Sequence, residues 1–95
     1  MLHKFGNMLI SRQAGSEAFL AFQPVLKSVS RTEPLEVDFT GVITFSPSWG
    51  DEFLTPLAKE FRERLVLVNT GGNLSVRETL KILEQANGIS FALPV

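Results

Sequence analysis

The chain has 95 residues, 44% of them hydrophobic and 20% charged, with nine Lys and Arg against ten Asp and Glu and no cysteine. That is enough for one domain with one core and too little for two, and it lies far from the profile of a disordered chain. A formal charge of −1 without a run of like charges offers little to a phosphate backbone or an anionic membrane, and the missing cysteines exclude a disulfide scaffold, a thiolate nucleophile and the commonest structural zinc sites. No apolar stretch approaches the roughly 18 residues of a membrane span, and the first apolar run is too short for a signal peptide; the expectation is a cytoplasmic protein that binds neither nucleic acid nor membrane.

In chain order, "MLHKFGNMLI" holds two short apolar runs split by Gly6-Asn7, a pair able to supply the positive φ of a tight turn, and predicts a small hairpin. From Ser11, a candidate N-cap, Ala14, Ala18, Phe22, Val25, Leu26 and Val29 recur in helical steps, with Pro24 expected to kink or restart the helix. "SVSRTEP" is a short connection. "LEVDFTG" alternates as a strand with one apolar face, which "VITF" extends past a bulge or turn at Gly41. The segment "SPSWGDEFLTPLAKEFRERL" then carries Phe53, Leu54, Leu57, Ala58 and Phe61 at helical spacing, with Pro56 tolerated near the second turn.

"RLVLVNT" is a near-continuous apolar run and reads as a central strand covered on both faces. After the breaker "TGGN", Ser75 and Glu78 have capping-box spacing, Leu80, Leu83 and Ala86 form an apolar face, and Asn87-Gly88 closes the helix. "ISFALPV" is a last strand, placed at an edge by Pro94, so the chain is expected to be a monomer or a weak dimer. The order β-β-α-β-α-β-α-β predicts a single α/β domain over residues 1–95: a mixed sheet of four or five strands, helices mainly on one face, and "LEVDF" and "LVLVN" as neighbouring parallel strands inside the sheet. The expected core is Phe22, Val37, Phe39, Phe53, Leu57, Val66, Val68, Leu80 and Leu83.

Residues 46–52 concentrate the polar chemistry. A helix N-terminus leaves about four N–H groups unpaired and carries roughly half a positive charge, so it attracts oxygen. Ser46 then Pro47 suits N-cap and N1, whereas Ser48 with Asp51 suits a capping box; both registers explain the serines. A phosphate on Ser48 gains from the same N–H groups but meets repulsion from Asp51 and Glu52 about one turn away, which makes it a device for expelling a partner. Trp49 reads either as a half-buried core anchor or, if exposed, as an interface hot spot. Arg12 stands where the helix dipole disfavours a cation and is expected to pair with a carboxylate such as Asp51 or Asp38.

Taken together, "LISRQAG", "EVDFTGV", "SPSWGDEFLTPL" and "LVLVNTGGNLSVRETLKIL" resemble the STAS-like domains of unknown function of bacteria and their phages, over about residues 5–87. The most specific parts are Ser11-Arg12, "VDFTGV" and Ser48-Trp49-Gly50-Asp51-Glu52, with Trp49 where Phe is usual. Those domains are similar in fold to the STAS domains of anti-sigma-factor antagonists, which bind a histidine-kinase-type ATPase and are switched by phosphorylation of one serine at the N-terminus of the helix after the third strand. The resemblance places Ser48, with Ser46 beside it, at that position. The chain departs from the antagonists in carrying Ser46-Pro47-Ser48-Trp49 in place of Asp-Ser-Ser-Gly.

The remaining constellations are weaker. His3 is the only histidine, so neither a Ser-His-acid triad nor a multi-histidine metal site is expected. "NTGGN" lacks the spacing of the glycine-rich nucleotide fingerprints and the P-loop lysine; Thr70, Gly71 and Gly72 are weak anion-binding candidates in what reads first as a tight strand-to-helix turn. The adjacent Asp51 and Glu52 point about 100° apart and make no acid/base pair by themselves. The expectation is a non-catalytic regulatory module without metal or cofactor, whose partner docks on Ser46, Ser48, Trp49, Asp51 and Glu52. Its alternatives are a nucleotide-binding or enzyme-subunit domain using the 69–73 turn, and an assembly piece pairing through "ISFALPV".

Overall fold

Seven regular elements form among the described residues: β1 (Met8–Leu9), α1 (Arg12–Ser28), β2 (Leu35–Asp38), β3 (Thr44–Phe45), α2 (Pro47–Phe61), β4 (Leu65–Val68) and α3 (Leu74–Asn87), with short 3₁₀ turns at Leu2–Phe5 and Arg62–Arg64. The computed structural model describes residues 2–30 and 32–91. The class is α/β, but the four- or five-stranded sheet gives way to two parallel ribbons of two strands each, β1–β3 and β2–β4.

The longer ribbon sets Leu35 opposite Leu65 and Asp38 opposite Val68. Its core face is Leu35, Val37, Leu65 and Leu67, all buried, as period-two alternation requires. The expected parallel pairing of "LEVDF" with "LVLVN" is present, while the expected interior position of β4 is not. Among the described residues each strand has one strand neighbour, and Val66 and Val68, on the face opposite Leu65 and Leu67, are only half-buried. Phe22, also expected in the core, is half-buried against it.

The shorter ribbon replaces two expectations. Leu2–Phe5 winds into a 3₁₀ turn rather than the first arm of a hairpin, and Met8–Leu9 pairs in parallel with Thr44–Phe45. β3 is a separate strand because the chain turns before it. The Val42 amide donates to the Phe39 carbonyl at 3.1 Å, and Gly41 takes φ 84°, the left-handed value a type II turn needs at its third residue.

Ser11 caps α1, its Oγ accepting from the Ala14 amide. The helix runs through Pro24 without restarting; Leu20, whose carbonyl loses its partner, and Pro24 both lie on the exposed side. Helix α2 likewise continues through Pro56, well past the second turn. Helix α3 begins earlier than Ser75: Asn73 is its N-cap, its Oδ1 accepting from the Val76 amide, since Asn caps as well as Ser and stands two residues nearer the turn. Gly88, at φ 61° and ψ 37°, ends it in the left-handed C-terminal arrangement. The expected last strand falls mostly on residues 92–95, which lie outside the described residues, and Ile89–Phe91 are not strand.

Candidate functional site

The corner between β3 and α2 is assembled by Ser46. Its amide donates to the Leu9 carbonyl at 2.9 Å and its carbonyl accepts from Gly50 at 3.0 Å. Its hydroxyl donates to the Ile10 carbonyl at 2.7 Å and accepts from the Trp49 amide at 3.3 Å. One serine therefore caps α2 and ties it to the end of β1, with Pro47 at the first helical position, as its fixed φ favours. Of the two registers open in the sequence, the Ser46 cap is the one that forms.

Trp49 is 1% exposed, stacks on Phe53 at 4.9 Å and meets Phe45 edge-on at 5.9 Å. A partner has no access to a ring so placed, so the expectation of Trp49 as a docking residue is corrected to a core anchor. Two glycines make the position possible. A Cβ on Gly15 of α1 would lie 2.5 Å from the Trp49 carbonyl oxygen, and one on Gly50 would lie 2.9 Å from both Leu83 and Phe45 side chains. Both would be inside the closest approach of real atoms, so α1, α2 and α3 meet at this level because those side chains are missing.

Asp51 and Glu52 extend the corner across to α1. Arg12 Nη1 donates to Asp51 Oδ2 at 3.2 Å and to Glu52 Oε1 at 2.8 Å, which realises the Asp51 choice for this cation and adds Glu52. Hydrogen bonds from Arg12 to Glu52 and then Asp51 raise the guanidinium pKa further. Partial burial pushes the Asp51 carboxyl up, but hydrogen bonds from Arg12, Thr55 and Asn87 together outweigh it and hold the group below its ordinary value. Thus Asp51 is kept ionised and occupied, an arrangement suited to holding helices and not to accepting a proton near neutral pH.

Ser48 differs from its neighbours. It is half-buried, and its hydroxyl has no hydrogen-bond partner among the described residues. It sits three and four residues before Asp51 and Glu52, hence on the same face of α2. Of the five residues singled out in the sequence, the structure brings Ser48, Asp51 and Glu52 to one face with Arg12, commits Ser46 to the frame, and removes Trp49 from the surface.

The 69–73 turn is organised by side chains of its own. Asn73 Nδ2 donates to the carbonyls of Val42 at 2.9 Å and Ile43 at 2.8 Å, so the cap of α3 also holds the entry to β3. Asn69, at φ 58°, donates to Asp38 Oδ1 at 2.9 Å and to Thr40 Oγ1 at 3.0 Å. Bonds from Asn69 first, then from the Thr40 hydroxyl and amide, lower the Asp38 pKa to about 2. A fixed negative charge thereby stands against Asn69, the residue that precedes Thr70, Gly71 and Gly72. The sequence signal for this cluster was present but local: Asp and Asn at the carboxyl ends of two parallel strands.

A scan against protein-family models and searches of curated proteins and of solved structures find no match to this chain.

Proposed function

We propose that the chain is a non-catalytic regulatory module that binds a protein partner at the N-terminal corner of α2 and is switched by phosphorylation of Ser48, in the manner of the anti-sigma-factor antagonists, whose STAS domains are similar in fold to the STAS-like domains of unknown function that its sequence resembles. The observation that carries this reading is the contrast inside one helical turn: Ser46 is bonded through both lone pair and proton, whereas Ser48 has no hydrogen-bond partner among the described residues and stands on the face that also presents Asp51 and Glu52. A phosphate there adds about −1.5 to −2 charges beside two carboxylates whose single cation, Arg12, is already shared. Either Arg12 turns to the phosphate and releases the acids, or the three anions repel; both outcomes change the charge that a partner meets. The proposed partner is a histidine-kinase-type ATPase, and the proposed setting is bacterial and cytoplasmic.

The test is incubation with such an ATPase and ATP, followed by intact-mass and fragment mass spectrometry. One phosphate on Ser48, retained in Ser46→Ala and lost in Ser48→Ala, is expected. Phosphate on Ser46, or none on any serine of the corner, contradicts the reading.

A further inference from the structure

The 3₁₀ turn Leu2–Phe5, like the helices, is joined to the rest of the chain by its side chains. In a helix of three residues per turn, positions i and i+3 eclipse, so Leu2 and Phe5 project from one side. Leu2 is 4% exposed. The Phe5 ring lies 5.4 Å from Phe53, 6.3 Å from Phe22 and 6.3 Å from Trp49. No backbone hydrogen bond links residues 2–6 to another element among the described residues, so side-chain packing alone holds the turn. The next residue is the exposed Gly6 at φ 112°, a conformation that glycine adopts without steric cost. Between the turn and the body remains a cavity of about 50 Å³, lined by Leu2, Phe5, Phe22, Val37 and Phe53, so the fit is incomplete.

Opposite charges line the same cavity. Lys4 stands with its Nζ 5.0 Å from the Phe22 ring and 5.2 Å from the Phe5 ring, and Glu36 and Asp38 form the rim of the cavity beside it. The seat is thus an apolar, aromatic groove with an acidic rim, filled by a short segment with two apolar anchors three residues apart and a cation between them.

We propose that Leu2–Phe5 is an exchangeable internal plug, and that the groove it covers receives in trans a short helical segment of a partner with the same chemistry: two large apolar side chains at i and i+3 with a basic residue between. This surface is separate from the Ser48 corner and does not depend on it. Docking of the plug in cis lowers the apparent affinity of the groove by the fraction of time that it is closed.

The probe is a fluorescein-labelled synthetic peptide, Leu-His-Lys-Phe-Gly-Asn, titrated into the full chain by fluorescence anisotropy, with a control peptide carrying Glu in place of Lys. Phe5→Ala, which removes one anchor, and Leu2→Ala, which removes the other without touching the aromatic cluster, are expected to bind the peptide at least tenfold more tightly than wild type and to reject the control. Undocking is also expected to shift Trp49 emission to the red, and bound peptide to reverse the shift, because Trp49 is the only tryptophan. Equal affinity in wild type and both folded variants, or no binding to any of them, overturns the proposal. Loss of the folded state in both variants overturns it as well, since the turn is then part of the core and not a plug.

Discussion

The two ribbons are built on different terms. β2–β4 is four residue pairs long and is held by its own ladder, whereas β1–β3 is two pairs long and is completed by side chains from elsewhere. On the side of β3 away from β1, the Phe45 amide donates to Ser75 Oγ at 3.2 Å and the Phe45 carbonyl accepts from Thr79 Oγ1 at 2.7 Å. The start of α3 thus stands where another strand would pair, which satisfies that edge and ends the sheet. The lesson is that a strand too short to be stable by itself can still aim a helix, provided that its backbone groups are bonded from both sides. The candidate site grows from this short ribbon.

The largest effect that sharpens the comparison is expected at Trp49, where the short ribbon meets α2. Trp49→Ala should lower stability by about 3–5 kcal/mol in chemical denaturation, as for other large buried aromatics. A loss under about 1 kcal/mol would place the ring outside the core. Next is the side-chain stitch: Thr79→Val is nearly isosteric, but Thr79 is 3% exposed and its loss orphans the buried Phe45 carbonyl, so about 1–3 kcal/mol should disappear. Hydrogen exchange should show faster opening at Phe45 and unchanged protection in β2–β4; equal loosening of both ribbons would erase the distinction.

Ser46→Ala should lower the thermal midpoint by the equivalent of about 0.5–2 kcal/mol, while Ser48→Ala stays within about 0.5 kcal/mol of wild type. Equal shifts would mean that both serines serve the fold.

The smallest effect belongs to the carboxyl end of the longer ribbon. Asp38 titrates at about 2 in the folded protein against an ordinary 3.8, so its contribution is fully present above pH 4 and fades as pH falls from there through 2. Replacement by Asn in Asp38→Asn should therefore flatten the acid limb of the stability profile and leave the curve above pH 5 parallel to wild type. An unchanged acid limb would show that the bonds from Asn69 and Thr40 carry no net preference for the ionised form.

What the sequence discloses follows the same division. β2, β4 and the three helices are written as periodicity, because each buries a face over four or more residues, and their parallel pairing follows from the intervening helix. β1 and β3 are two residues long, and no periodicity can be read in two residues. Their pairing depends instead on Ser46, Asn73, Ser75 and Thr79, each bonding a residue at least 30 positions away or reaching a distant carbonyl. Gly15 and Gly50 matter through what they lack, which is visible only when three helices are brought together. At the site, the Arg12 pairing with Asp51 was legible from an unfavourable cation at a helix start, and the choice between Ser46 and Ser48 as cap was not, because two serines flanking Pro47 satisfy the same local rules.

The most direct test of the proposed switch is a calorimetric titration of a histidine-kinase-type ATPase with wild type, Ser48→Ala and Ser48→Asp, with thermal melts of the same three samples. The account predicts equal affinity for wild type and Ser48→Ala, at least tenfold weaker binding by Ser48→Asp, and three melts that coincide within the effect of a surface substitution. Equal affinities across all three proteins, or a weakened Ser48→Asp whose melt has fallen with its binding, would contradict it.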